Sequence, residues 1–368
     1  MRKKTLATVA LAAATALVLS GCSTRDGGEA TDPSEGATSG FPADSLIGVA
    51  LPAKTSENWV LAGDLFTQGL EDAGFQADVQ YAAASGTVAD QQSQIQSMIT
   101  KGAKVIIVGA ADGSQLGTQI EAARDAGIIV IAYDRLILNT DAVDYYVAYD
   151  NEEVGRLQGQ ALLDGMAERK GEGPYTIELF SGSPDDANSK VFFDGAMEVL
   201  QPEIDAGNVI VGSGQTDIKQ TATQGWEAEN AQSRMDSLLT SAYSGDEVPD
   251  GVLSPNDNLA RAIITSVQDA GKEVPVVTGQ DSEVESVKSI VAGVQYSTIN
   301  KDTRALVAQA IEMAQQAQKG EEISVNDTES YDNGVKVVPA FLLPPAIVTQ
   351  ENAAEEYADD PTLGPLTE

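Results

Sequence analysis

Histidine is missing from all 368 residues. That removes Ser-His-Asp triads, histidine-based metal centres and imidazole general bases in one step. A single cysteine, Cys22, has no partner for an intramolecular disulfide. Basic residues are scarce: 22 Lys and Arg stand against 56 Asp and Glu, a formal net charge of −34. Nucleic-acid binding needs a basic footprint, so no nucleic-acid partner is expected. Charge of this size speaks to solubility and to repulsion from anionic surfaces, not to fold. No G-x-G-x-x-G follows a strand and no G-x-x-x-x-G-K-[ST] occurs, so dinucleotide and triphosphate binding have no support and no cofactor is expected. The G-x-S-x-G turn of hydrolases is absent as well.

The two ends of the leading segment are informative in a different way. Arg2, Lys3 and Lys4 precede a short Ala- and Leu-rich stretch from Leu6 to Leu19. It is short for a membrane span and fits a secretory signal over 1–21. The run Leu19-Ser20-Gly21-Cys22 resembles the bacterial lipobox, which implies cleavage before Cys22, lipidation of its thiol and anchoring to the membrane rather than spanning it. Residues 22–45 are rich in Gly, Ser, Thr, Asp, Glu and Pro, too poor in apolar surface to order themselves, and read as a flexible tether.

More than 300 residues remain, too many for one ordinary core, so two lobes are expected. From Leu46 on, short apolar runs alternate with segments of helical periodicity. Strands are expected at 47–51, 77–81, 105–108 and 128–133, with helices over 59–73, 88–99 and 116–126 between them. A strand at 145–149 leads to a helix over 153–166 and a second series of the same rhythm, with strands at 176–180, 209–211, 251–253 and 276–277. Its helices begin near Ala187, Ala228, Asn258 and Glu283; the strand Gln295–Ile299, the helix Thr303–Ala317 and a last strand near Val337–Leu342 follow. The fold class read from this is α/β, two doubly wound parallel-sheet lobes joined by a three-crossing hinge. The N-terminal lobe takes 46–147 plus 300–328 and the C-terminal lobe 148–299 plus 329–362. Crossings are expected near Tyr145–Asn151, Tyr296–Asn300 and Asp327–Lys336.

The strand Ile128–Tyr133 ends abruptly in Asp134 and Arg135. Ligands of open α/β sheets bind at the carboxyl ends of strands. A carboxylate accepts hydroxyl protons and a guanidinium donates to oxygens, so the pair suits a polyol. Other strand ends carry polar groups too: Lys54, Asn58 and Trp59 after the first, Asp112 after the third, Asp185, Asp186 and Asn188 after Phe180, Asn256 and Asp257 after Leu253, and Asp281 after Val277. Each alone reads equally as a helix N-cap or turn residue. Together, with Trp59 offering a flat apolar face, they point to a carbohydrate site in a cleft between lobes.

The chain resembles the periplasmic xylose-binding and multiple-monosaccharide-binding proteins of ABC importers, type I periplasmic binding proteins. The resemblance rests on Ile47–Pro52, Gln94–Ile99, Val130–Ile137, Tyr149-Asp150-Asn151, Ser254–Asp257, Gly279-Gln280-Asp281 and Asn333–Pro339. It implies that Asp134, Arg135, Asp186, Asn188, Asn256 and Asp281 contact a monosaccharide of the xylose, glucose, galactose or arabinose type. Lys301, beside a crossing, would neutralise part of the carboxylate charge. Asn58 stands where such proteins usually carry Arg, and 213–216 lack the aromatic that some carry there. The function so implied is an extracytoplasmic, lipid-anchored, monomeric binding protein that closes on a sugar and delivers it to an ABC permease. It makes and breaks no bond. The alternative is a sugar sensor signalling to a membrane kinase or chemoreceptor.

Overall fold

Every side chain of the run Val105–Val108 is buried, as a strand covered on both faces requires. The computed structural model describes residues 40–368 apart from Thr55, 84–86 and Ser244. The signal peptide expected over 1–21, lipidation at Cys22 and most of the tether fall outside the described residues. The tether's last residues do not trail free. Phe41 N donates to Gln318 O at 3.0 Å, Gln318 Nε2 returns a bond to Phe41 O at 3.0 Å, and the Phe41 ring packs on Phe75.

The first half alternates β1 (Leu46–Leu51), α1 (Glu57–Asp72), β2 (Gln76–Tyr81), α2 (Thr87–Lys101), β3 (Val105–Val108), α3 (Gly117–Asp125), β4 (Ile129–Tyr133) and β5 (Tyr145–Tyr149). The second half runs α4 (Asn151–Lys170), β6 (Tyr175–Leu179), α5 (Ala187–Asp205), β7 (Val209–Val211), α6 (Ile218–Thr221), α7 (Ala228–Ser241), β8 (Gly251–Leu253), α8 (Asp257–Asp269), β9 (Val276–Val277) and α9 (Val284–Val291). Then come β10 (Ser297–Asn300), α10 (Thr303–Lys319), β11 (Ala340–Leu343), β12 (Ala346–Thr349) and α11 (Ala353–Glu356). The strands order as β11-β5-β4-β3-β1-β2 in a 6-stranded sheet and β7-β6-β8-β9 in a 4-stranded one, with parallel pairing throughout both. Each sheet reverses its direction of growth beside its first strand, β1 or β6, which opens a crevice at the strands' carboxyl ends.

Period-two alternation splits β1 between two cores. Ile47, Val49 and Leu51 pack with Phe66 and Leu70 of α1 and with Leu306, Ala310 and Met313 of α10. Ala50 faces the other way, with Ile95 and Met98 of α2 and Ile120 of α3. The helix α1 buries Trp59, Ala62, Phe66 and Leu70, a spacing that lines one helical face. Full burial of a side chain such as Phe66 or Leu70 contributes roughly 1.5–3 kcal/mol. That face holds Trp59 at the sheet's carboxyl edge.

β10 and β12 form an antiparallel ladder, docked beside β9 through Tyr296 N to Val277 O (3.1 Å) and Asp281 N to Ile299 O (2.9 Å). Among the described residues the chain passes between the lobes at Asp150-Asn151, at Lys301-Asp302 and at Pro344-Pro345. The passages are tied together: Asp150 N donates to Leu343 O at 3.0 Å, and Tyr149 Oη donates to Asp302 O at 3.0 Å.

Two expectations need correction here. Residues 329–343 do not belong with the C-terminal lobe, because β11 pairs with β5 in the first sheet. The third crossing is therefore not at Asp327–Lys336. That segment folds against the first lobe, where Asn333 Nδ2 donates to Ile137 O and Thr140 O at 3.2 and 2.7 Å. The passage comes after β11, where two successive prolines lack the N–H a ladder needs. Tyr145–Tyr149 is a full inner strand of the first sheet, so Ala148 and Tyr149 belong to the first lobe as well, and the first passage falls at Asp150-Asn151, within the range expected for it.

Candidate functional site

Asn58, Trp59, Asp134, Arg135, Asp186, Asn188, Asn256, Asp281 and Lys301 line one cleft of about 770 Å³ between the lobes. Lys54 and Asp112 do not line it. Lys54 lies exposed with Nζ 4.3 Å from the Tyr81 ring centroid. Asp112 folds back on its own turn and accepts from Ser114 N at 2.9 Å and Ser114 Oγ at 2.6 Å. For Asp112 the turn reading wins over the site reading, because its acceptor oxygens are taken up locally.

For Asp186 and Asn256 the two readings hold together. Asp186 caps α5: Oδ1 accepts from Asn188 N at 2.9 Å. Its other oxygen, Oδ2, accepts from Trp226 Nε1 at 3.2 Å and lies 2.9 Å from Arg135 Nε. Asn256 caps α8 with Oδ1 on Leu259 N at 3.0 Å, which leaves its amide nitrogen for the cleft. A helix N-cap thus places one carboxylate oxygen in structure and one in the site.

Trp226 is the residue that the sequence reading overlooked. It stands on a short turn at Gln224–Trp226 with φ of 56°, well after 213–216, where a second aromatic was sought. Gly182 makes room for it: a Cβ there would sit 2.2 Å from the indole. The signal available was its being one of only 2 tryptophans. Phe192 also lines the cleft, under Lys301, whose Nζ lies 5.4 Å from the ring centroid.

Charges in the cleft are paired across it. Arg135 and Asp186 come from different lobes and are 15% and 4% exposed. The Arg135 Nε–H is not aimed at the carboxylate, so this contact is coulombic and the donor itself stays unbonded. Lys301 Nζ lies 3.0 Å from Asp281 Oδ1. Burial works against the Lys301 charge, but Asp281, Asp134 and Asp186 outweigh it and hold its pKa above the ordinary lysine range. Gln280 Oε1, also at the cleft, has no partner. An unbonded donor and an unbonded acceptor at one buried site call for a polar ligand.

Asp134 is held in the left-handed region, φ 60°, by its carbonyl. That oxygen accepts from Tyr146 Oη at 2.6 Å and, across the cleft, from Asn188 Nδ2 at 2.8 Å. Tyr146 Oη in turn accepts from Asn151 Nδ2 at 3.2 Å, at the first crossing. Val284 N at the start of α9 donates to Glu57 Oε2 at 3.0 Å. These contacts between lobes make this a closed form.

Burial raises the Asp134 carboxyl above its ordinary pKa, and attraction from Lys301 and Arg135 only partly offsets it. The fold therefore favours the protonated acid. That stability is complete below the unfolded value of about 3.9 and is lost as pH rises through the folded one. Asp134→Asn keeps a neutral group there at every pH. The ligand-free variant should melt above its parent at pH 7.5, and the gap should narrow steadily toward pH 4.5. Thermal melts across that range check it, and a gap that widens toward acid would refute the assignment.

The sequence matches the family described as periplasmic binding protein domain over residues 47–322. The chain belongs to that family. This periplasmic binding protein is 47% identical over 318 residues to the multiple sugar-binding periplasmic receptor ChvE of Rhizobium radiobacter, covering 85% of the present chain and 89% of that protein. It is 34% identical over 316 residues to the D-xylose-binding periplasmic protein of Escherichia coli, covering 85% and 89%. Among solved structures, an ABC transporter solute binding protein from Clostridium phytofermentans with bound β-D-glucose superposes with a TM-score of 0.82. That structure is 39% identical and is covered in full, against 88% of this chain. A solute binding protein from Chloroflexus aurantiacus in complex with D-glucose gives 0.77 at 34% identity, covering 86% of this chain and 96% of its own. The fold is the type I periplasmic binding protein fold that the resemblance implied, built on the α/β alternation read from the sequence. Among the described residues no helix is long and apolar enough to cross a membrane.

Proposed function

We propose that this protein captures a monosaccharide unit between its lobes outside the cytoplasm and hands it to an ABC permease, without chemical change. The observation that carries the reading is Trp59 and Trp226 entering one cleft from opposite lobes, with paired acids and bases between them. A pyranose has C–H faces that pack on indole and a rim of hydroxyls that need donors and acceptors in one plane. Asp134, Asp186 and Asp281 accept hydroxyl protons, while Arg135, Lys301 and the free amide of Asn256 donate. The solved neighbours that hold glucose support a hexose, and the xylose-binding relatives support a pentose.

Capture is hinge closure. A sugar that bridges both lobes stabilises the closed arrangement by its differential affinity for it, and the permease reads lobe orientation. The leader and Cys22 would secure the protein, as a monomer, to the outer face of the cell membrane through lipid.

A thermal-shift screen against free pentoses and hexoses tests the reading. Ligand at 100 times its dissociation constant adds about 2.7 kcal/mol of apparent stability, which for a chain of this size is several degrees. D-glucose or D-xylose should raise the melting temperature. Flat melts with every sugar would sink the reading.

A further inference from the structure

A second, half-open pocket adjoins the cleft and shares Asn58, Asp281, Lys301 and Thr303 with it. The shared side chains are the Lys301–Asp281 pair, 3.0 Å apart, and two shorter ones, Asn58 and Thr303. The far wall is Asp360, Thr362 and Leu363 of the C-terminal segment, fastened to α10 by Arg304 Nη1 to Asp360 Oδ2 at 2.6 Å. The chamber is therefore built from both lobes and stays half-open to solvent, with the Lys301–Asp281 pair on the side it shares with the cleft.

Its lining is mixed in a way that suits a sugar or a small apolar group on one. Leu61, Val284 and Leu363 are aliphatic, and Ser282, Thr303 and Thr362 carry hydroxyls. Of the ionised groups, Glu57, Asp281, Asp302 and Asp360 face only Lys301 and Arg304. Carboxylates outnumber cations, and an anionic occupant would be repelled. Glu57 is already engaged by the amide of Val284, and Arg304 by Asp360, so the polar groups are held in place without a ligand.

We propose that this chamber receives a neutral substituent, or second ring, attached through oxygen to the sugar held in the cleft. The ligand class is then an O-glycoside or neutral disaccharide as well as a free monosaccharide. This rests on the sugar-binding reading above and extends it past the Lys301–Asp281 pair. A substituent on the hydroxyl nearest that pair passes between Asn58 and Thr303, while a sugar phosphate is excluded by the surrounding carboxylates.

The test is calorimetric titration of the full secreted protein with D-glucose, D-xylose, their methyl α- and β-glycosides, cellobiose, maltose and α-D-glucose 1-phosphate. At least one neutral O-substituted sugar should bind within about tenfold of the free sugar, and the phosphate should not. Thr362→Trp plugs the chamber from an exposed position outside the cleft. It should lower affinity for the substituted sugar at least tenfold and leave the free sugar unchanged, which also shows that the variant is folded. Binding of free sugars with rejection of every substituted one would overturn the inference and leave the sugar reading intact. So would equal losses for both ligand types in the variant, or a phosphate that binds as well as the neutral glycosides. No binding of any free sugar would overturn the underlying reading and this extension with it.

Discussion

Asp186→Ala should weaken sugar binding by about two orders of magnitude or more, the largest effect of any single change in the cleft. Three interactions are lost together. The N-cap of α5 goes, at a cost of about 0.5–2 kcal/mol. Trp226 loses the acceptor that fixes its indole, and with it the stacking face from the second lobe. Arg135, 15% exposed, is left without its carboxylate, and breaking a buried pair from one side costs about 3–5 kcal/mol. Part of that cost falls on the unliganded protein, because the pair forms without sugar. Asp186→Asn separates the roles: asparagine caps a helix as well as aspartate does, so the fold should be kept while the charge across the cleft is lost. Titration calorimetry and melting curves on both variants check this. If Asp186→Ala binds D-glucose as tightly as the parent, the cleft is not the sugar site.

Lys301→Met should be nearly as damaging, but its effect should depend on pH. Asp134, Asp186 and Asp281 share the cleft with only Arg135 and Lys301 as counter-charges. Methionine keeps the stem that packs near Phe192 and removes the ammonium, so Asp281 loses its partner at 3.0 Å. At 10% and 13% exposure the pair is largely desolvated, and its breakage should cost about 3 kcal/mol, toward the lower end for buried pairs. In the parent, the Lys301 pKa is raised, so its contribution is fully present below its unfolded value near 10.4 and is lost only as pH climbs through the folded value. In the variant, Asp134, whose carboxyl burial already holds above its ordinary pKa, loses the attraction from Lys301 that partly offset burial, and its protonation relieves the strain. The difference in melting temperature between parent and variant should therefore be greatest at pH 7.5 and shrink toward pH 5. Coincident melts at pH 7.5 would show that the pair is a bystander.

The unequal legibility of the site follows from how each residue is positioned. Asp134, Arg135, Asn256 and Asp281 stand within a few residues of a strand's carboxyl end, and strands announce themselves by short apolar runs. Their convergence then follows from the doubly wound topology, since parallel strands point their carboxyl ends the same way. Asp186 and Asn188 were legible for the same reason, and the rival capping explanation turned out to describe a second oxygen of the same side chain. Lys54 and Asp112 met the same sequence criterion but lie elsewhere. Nearness to a strand end bounds where a backbone goes, not where a side chain points. Trp226 is the converse: it follows no strand directly, and only the glycine at 182, some forty residues earlier, lets its ring into the cleft.

What the sequence by itself determined was the α/β alternation, the family, the carboxylates at strand ends and the lack of histidine chemistry. Each depends on local period, punctuation or composition, which are complete within a few residues. Tertiary structure alone decided that β11 returns to the first sheet, that Pro344-Pro345 is the third passage and that Trp226 lines the same cleft as Trp59. It alone also paired Arg135 with Asp186 and opened a second chamber behind Lys301. These are contacts between segments far apart in the chain, set by the packing of two lobes on one another, and no local pattern encodes them.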